Sequence, residues 1–185
     1  MNLDADEVRG RFAAAEVARL ATADASGQPH LVPITFALHD DVIVTVVDHK
    51  PKRSMALRRL ADIAVNPRVS LIVDYYANDW NLLWWARADG VARILDDGSA
   101  WHDAIDQLVA KYDQYRERRP VGQVILVEVR RWIGWACLGH AQAPGEPAGA
   151  PVAPTGRRVP PGLPVAPPGL PAVPGGTPGC TGLAY

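Results

Sequence analysis

The sequence predicts a mainly β fold: a closed or nearly closed antiparallel barrel of six strands with helices at its margins. Three observations point there. The elements read in the order helix, three strands, helix, two strands, helix, strand. Short turns join the first three strands, as in an antiparallel meander. A run of β-branched residues, Val42-Ile43-Val44-Thr45-Val46-Val47, gives the clearest strand.

Each element has a local cause. Residues 4–18 read as an amphipathic helix, with Asp4 as cap, Glu7 completing a capping box, and Val8, Phe12 and Ala15 on one face. Residues 19–23 read as a short strand, and Asp24-Ala25-Ser26-Gly27 as a tight turn. Residues 28–38 form a second strand, with Pro29 and Pro33 expected to break its ladder and leave backbone free for a ligand. Asp40-Asp41 turns the chain into the strand at 42–47. A helix follows at 54–65, then strands at 69–75 and 80–95. Trp84 and Trp85, being adjacent, should face opposite sides of the latter. A helix from about 99 to 118 carries Trp101, Ile105, Leu108, Val109 and Tyr112 on its core face. The last strand spans 123–136.

Residues 1–140 suit one domain with one core. From about Ala141 to Tyr185 the chain is nearly all Pro, Gly, Ala and Val, with Glu146, Arg157 and Arg158 as its charged side chains. Such a segment buries too little apolar surface to offset its ordering entropy, so a disordered tail is expected. It could be a linker, a ligand for a proline-binding domain or an artefact of the gene's reading frame, and the sequence does not choose. The net charge of −1 gives no global signal for nucleic acid or a membrane surface. No stretch has the length of an apolar span, and the acidic N-terminus is unlike a signal peptide. Cys137 and Cys180 fall in a strand and in the tail, so no structural disulfide is expected. A cytoplasmic protein is the default reading.

The chemistry concentrates at one corner. The β-branched strand runs into Asp48-His49-Lys50-Pro51-Lys52-Arg53, just before a helix. Cations beside a helix start are a natural phosphate seat, and equally a solvated basic turn. The five histidines show no chelating spacing, so no metal is expected. Arg87 shares the strand face of Trp85 and, if buried, needs an anion or a partner. There is no nucleophile elbow, zinc-protease motif or nucleotide-binding glycine loop.

These residues also carry a resemblance. Arg19-Leu20-Ala21-Thr22, Gly27-Gln28-Pro29-His30, Val32-Pro33-Ile34, the basic corner, Asn66-Pro67-Arg68-Val69-Ser70-Leu71 and the segment from Asp79-Trp80 to Trp84-Trp85-Ala86-Arg87-Ala88-Asp89-Gly90 together resemble one family. It is the split β-barrel flavin/deazaflavin oxidoreductases, or pyridoxamine 5′-phosphate oxidase-like proteins, and within it the branch using coenzyme F420. The resemblance covers roughly residues 7–137.

It implies a six-stranded antiparallel split β-barrel (the FMN-binding split barrel) and a homodimer with the cofactor at its interface. Lys50 and Lys52 would hold the cofactor phosphate, with Arg53 and the Thr45 hydroxyl nearby. Backbone of Leu31, Val32, Pro33, Ile34 and Thr35 would border the ring. The segment with Trp80, Trp85 and Arg87 would close over it from the same or the partner chain. Relatives often carry Asn where this chain has Asp62, and a carboxylate facing inward there would weaken an anion site. The implied activity is hydride transfer from reduced F420 to an electron-poor small-molecule substrate, with the cofactor supplying the difficult chemistry. FMN is the alternative cofactor, and a non-catalytic carrier is the alternative of a different class. The acidic tail of F420 would want further cations, and Arg58 and Arg59 are available or merely solvated.

Overall fold

The computed structural model describes residues 1–47 and 57–137. Lys50, Lys52 and Arg53 of the basic corner, and the expected tail at 141–185, lie outside the described residues. The strands are β1 (Asn2–Leu3), β2 (Val17–Ala23), β3 (Pro29–Thr35), β4 (Ala37–His39), β5 (Val42–Val46), β6 (Arg68–Tyr75), β7 (Trp84–Leu95) and β8 (Val124–Ala136). The helices are α1 (Ala5–Ala14), α2 (Arg58–Val65), α3 (Ser99–Lys111) and α4 (Asp113–Glu117).

All pairings are antiparallel, in the order β3-β2-β6-β7-β8-β5-β4, with β1 added to β8. The two ends of this order, β3 and β4, are one stretch of chain separated by Phe36. The sheet therefore curls until its edges meet at a bent strand, the half-barrel form of a split barrel. Six strands become eight among the described residues. The second expected strand bends at Phe36 into β3 and β4, and the N-terminus adds β1.

Two further expectations need correction. The prolines do not break the β2–β3 ladder, which runs without a slip from Ala23 opposite Pro29 to Val17 opposite Thr35. The Asp24 amide donates to the Gln28 carbonyl at the turn, so Pro29, Leu31, Pro33 and Thr35 occupy the alternate, non-hydrogen-bonded pairs. Their backbone groups point away from β2, where a proline lacks nothing the ladder needs. The first helix ends at Ala14, because Ala18, Leu20 and Thr22 alternate into the barrel and the strand period prevails there.

The capping box does form: Asp4 Oδ1 accepts from the Glu7 amide at 2.8 Å and Glu7 Oε2 from the Asp4 amide at 3.0 Å. It aims Val8 and Phe12 into the core. A Cβ at Gly134 would lie 2.6 Å from Val8 Cγ2, so only glycine lets α1 approach β8 this closely. Inside the barrel Leu20, Ile34, Ile43, Leu71, Val73, Ile125 and Val127 pack with Val8, Phe12 and Ile63 of the helices. Outside it, Ile105, Leu108 and Tyr115 cover Val44, Val46, Val124 and Leu126. Each fully buried aliphatic side chain contributes about 1.5–3 kcal/mol. No helix among the described residues is long and apolar enough to cross a membrane.

The expected helix at 99–118 breaks at Tyr112, whose backbone is extended (φ −120°, ψ 121°), giving α3 and α4. Trp80 lies in a 3₁₀ turn, Trp80–Leu82, before β7 begins. Asp79 Oδ1 accepts the Asn81 amide there, and this side-chain cap favours a turn over the extended chain expected.

Candidate functional site

The site is built around the free edge of β3. Leu31, Pro33 and Thr35 direct their backbone groups away from β2, and no ladder joins β3 to β5 among the described residues. The edge offers the Leu31 amide and carbonyl, the Pro33 carbonyl, and the Thr35 amide and carbonyl. Val32 and Ile34 point into the barrel and are packed there. Prolines at 29 and 33 remove donors that another strand would need, so the edge resists pairing while it keeps acceptors for a ligand.

The far end of β3 is held by two phenols. Tyr115 lies with its hydroxyl 2.9 Å from Thr35 Oγ1. Tyr112 accepts the Phe36 amide at 3.0 Å and shares its own hydrogen between the Phe36 and Glu16 carbonyls, each at 2.7 Å. Burial pushes the Tyr112 phenol up to about 12. Beside it, Lys111 Nζ donates to the Ala15 carbonyl at 2.6 Å and sits 4.2 Å from the centre of the Phe36 ring. Burial pushes Lys111 down to about 8. The sequence reading assigns Tyr112 only to a core face and passes over Tyr115. Tyrosine, unlike phenylalanine, usually finds a polar partner when buried, and that preference is the one available signal.

The flanks of the basic corner are fixed. Val47, its last described residue on the strand side, donates to the Gln123 carbonyl at 2.9 Å. A Cβ at Gly122 would fall 2.1 Å from the Val47 carbonyl oxygen. Trp101 Nε1 holds the Gly122 carbonyl at 3.0 Å. Thr45 is buried and shares the inward face of Ile43, at the strand end that leads to the corner.

On the other flank, Asp62 of α2 faces inward and is buried. Its Oδ2 accepts Thr22 Oγ1 at 2.7 Å and lies 3.5 Å from His30 Nδ1. Arg58 pairs with Asp24 at 3.5 Å and approaches Asp62 at 3.9 Å. It is therefore engaged by two carboxylates instead of standing as a free cation.

Trp84 and Trp85 do face opposite ways. Trp84 packs against the inner core, with the Arg11 guanidinium 4.6 Å from its ring centre. Trp85 lies outside with Arg87, Ile72, Asp74 and Tyr76 around an open hollow of about 280 Å³. Trp80 is mostly exposed, at 69%. Arg87 has a carboxylate partner: Nη2 donates to Asp89 Oδ2 at 3.1 Å, and Nε lies 3.1 Å from Oδ1 without the alignment of a hydrogen bond. Ser70 Oγ steadies the same carboxylate at 2.6 Å.

Register shows what one chain does not assemble. Pro33, Arg19, Ile72 and Arg87 stand opposite one another across β3, β2, β6 and β7. Three strand spacings of ~4.8 Å put the β3 edge and Arg87 roughly 14 Å apart. The β3 edge and the Trp85–Arg87 hollow are thus separate within a chain. Among the described residues no cluster of three or more His, Cys, Asp or Glu side chains is placed to hold a metal ion.

The β3 edge suits a flat heteroaromatic ring, because such a ring presents donors and acceptors in one plane, as the edge does. No curated protein matches the chain significantly. Among solved structures, it is similar to an FAD-binding protein from Mesorhizobium loti, with 24% identity and a TM-score of 0.58, over 72% of this chain and 93% of that one. It is similar to the heme storage protein HutZ of Vibrio cholerae, with 19% identity and a TM-score of 0.57, over 76% and 100%. It also resembles a conserved hypothetical protein from Mycobacterium tuberculosis, with 20% identity and a TM-score of 0.60, over 82% and 95%. At such identities these likenesses establish the fold alone. The sequence itself matches the pyridoxamine 5′-phosphate oxidase description over residues 5–136, and the chain belongs to that family.

Proposed function

We propose that this protein is a cytoplasmic homodimeric oxidoreductase that binds coenzyme F420 along the β3 edge and reduces an electron-poor small molecule. The observation that carries the reading is the unpaired β3 edge, with prolines at 29 and 33 and its ladder groups directed outward. When bound, the deazaflavin supplies the hydride. The chain's own residues bind, orient and exclude water. Of the expected segment at 31–35, the backbone of Leu31, Pro33 and Thr35 borders the ring, while Val32 and Ile34 bond to β2 and hold the strand in place. Lys50, Lys52 and Arg53 receive the phosphate, with Thr45 on the adjoining strand. Trp80, Trp85 and Arg87 come from the partner subunit, since within one chain Arg87 stands three strands away.

FMN is the second reading, and Arg58 favours it. Asp24 and Asp62 engage this arginine, which leaves it less able to receive an acidic cofactor tail. A phosphate corner serves either molecule. A carrier without turnover is the third reading, because a fold that holds a ring need not transform a substrate.

Titration of the purified protein with oxidised F420 and with FMN, followed by tryptophan quenching, tests the order. Micromolar F420 binding with negligible FMN binding supports the first reading, and the reverse order replaces it with the second. Reoxidation of reduced F420 by enones or quinones separates an enzyme from a carrier.

A further inference from the structure

Thr35 and Tyr115 share a hydroxyl–hydroxyl hydrogen bond in which the geometry allows either to donate. Tyr115 is buried on α4, 8% exposed, and its hydroxyl lies 2.9 Å from Thr35 Oγ1. A phenol is the stronger acid and the better donor, and an aliphatic hydroxyl is the better acceptor. A hydroxyl has one hydrogen and two lone pairs. If Thr35 accepts from Tyr115, its own hydrogen is left for another acceptor. Thr35 is the last residue of the free β3 edge. Tyr112 fixes the next residue, Phe36, through both of its backbone groups, so Thr35 has little freedom to turn away.

We propose that Tyr115 is a positioning residue: it makes the Thr35 hydroxyl a fixed hydrogen-bond donor to a ring carbonyl of the flavin or deazaflavin on the β3 edge, and so favours the reduced ring. The inference rests on the reading of that edge as the cofactor site. Two-electron reduction places negative charge density on the ring carbonyls. A preorganised donor holds that charge better than it holds the neutral oxidised ring. The reduced form then binds more tightly than the oxidised form, and the potential of the bound couple rises.

The test is the midpoint potential of whichever cofactor binds, FMN or F420, measured by dye equilibration during reduction with dithionite. Tyr115→Phe and Thr35→Val each lower the potential, by about 30 mV for a tenfold change in the ratio of reduced to oxidised affinity in a two-electron couple. Thr35→Ser keeps the wild-type potential. The double variant Thr35→Val/Tyr115→Phe falls no further than Thr35→Val alone. A general loosening of the site weakens both redox forms together and leaves the potential where it was. Cofactor bound at unchanged potential in Tyr115→Phe overturns this inference while the site reading stands. Should Tyr115→Phe not fold, an unchanged potential in Thr35→Val overturns it equally. Wild-type protein that binds neither FMN nor F420 overturns the site reading and this inference with it.

Discussion

The Tyr112 hydroxyl lies 3.0 Å from the Phe36 amide nitrogen and 2.7 Å from the Phe36 carbonyl oxygen. Two breaks in regular structure, one between β3 and β4 and one between α3 and α4, thus meet at one hydroxyl. The bent strand has backbone groups that no ladder satisfies, and the broken helix supplies the phenol that satisfies them. Tyr112→Phe leaves both groups without this partner and is expected to cost about 1–3 kcal/mol. The denaturant midpoint should fall at unchanged slope. An unchanged midpoint would mean that water replaces the hydroxyl without loss.

The same corner sets a pH dependence. Lys111 is pushed down to about 8, from 10.5, by burial. Between those values the unfolded chain binds more protons than the folded one, so stability rises with pH. The contribution is complete above 10.5 and disappears as pH falls through 8. Tyr112 acts in the opposite sense. Its folded value of about 12 exceeds the unfolded 10.0, so its contribution is present below 10 and is lost between 10 and 12. The melting temperature should therefore gain from pH 8 to 10 and turn over above 10. Lys111→Met should flatten the rise while keeping the turnover. A rise that persists in Lys111→Met would assign it to another group.

Local signals in the sequence are the ones that survive folding. The Asp4–Glu7 capping box, the β-branched run at β5 and the opposed faces of Trp84 and Trp85 need only neighbouring residues to specify them. The bend at Phe36, the break at Tyr112 and the inward turn of Asp62 depend on partners far along the chain. Tyr112 and Phe36 are 76 residues apart, and no spacing rule links them. Pro29 and Pro33 mislead for a related reason. Whether a proline breaks a ladder depends on which way its nitrogen faces, and pairing parity sets that direction. Of the candidate site the sequence pointed to the β3 segment, and the basic corner it also pointed to lies outside the described residues. That Arg87 has a carboxylate partner follows from Asp89 two residues on along the same strand face, a local spacing the sequence offers; only Ser70, which bonds Asp89, joins once β6 and β7 pair.

Two glycines make a matched experiment. Gly122 lies against the Val47 carbonyl, where a Cβ would sit 2.1 Å from the oxygen. Gly122→Ala must push Val47, and with it the entry to the 48–53 segment. A loss of about 1–3 kcal/mol in stability is expected from the overpacking, along with weaker cofactor binding. Gly10, inside α1, has nothing within 4 Å of its would-be Cβ. Gly10→Ala should stabilise by about 0.5–1 kcal/mol through helix propensity and leave binding alone. Equal effects from both would show that Gly122 has no special tie to the site.

Asp62 bears on cofactor affinity through its charge. It is buried, accepts Thr22 and lies within 4 Å of Arg58. Asp62→Asn keeps an oxygen for the Thr22 hydroxyl and removes a negative charge beside α2, the helix that follows the proposed phosphate corner. Cofactor affinity is expected to rise, on the order of threefold, as one negative charge fewer opposes the bound phosphate. Asp62→Ala instead strands the Thr22 hydroxyl and should cost about 1–3 kcal/mol of stability. Isothermal titration and thermal melts on the two variants separate charge from packing. Tighter binding by Asp62→Ala but not by Asp62→Asn would exclude the electrostatic account.

The outer face of the sheet decides whether two chains make the site. Leu31 is 63% and Tyr76 70% exposed there, and Ile72, Trp85, Ile133 and Trp135 are part-exposed on the same side by register. The face also carries the Arg19–Asp74 and Arg87–Asp89 pairs, whose opposed charges allow a two-fold related copy to meet them. A stable seam needs ~800 Å² from each partner, which a sheet face of this breadth can supply. Ile72 is central in the row from Pro33 to Arg87 and lies outside the inner core. Ile72→Glu should therefore leave the monomer folded, within about 0.5 kcal/mol as for other surface changes, while placing a carboxylate between Arg19 and Arg87 on the proposed seam, where it competes for the pairs those arginines make. The expected result is a monomer by light scattering that has lost cofactor binding, because the β3 edge then lacks the partner's Trp85 and Arg87. A variant that stays dimeric and binds normally would move the seam to another face. A monomer that binds as tightly as wild type would place the whole site within one chain.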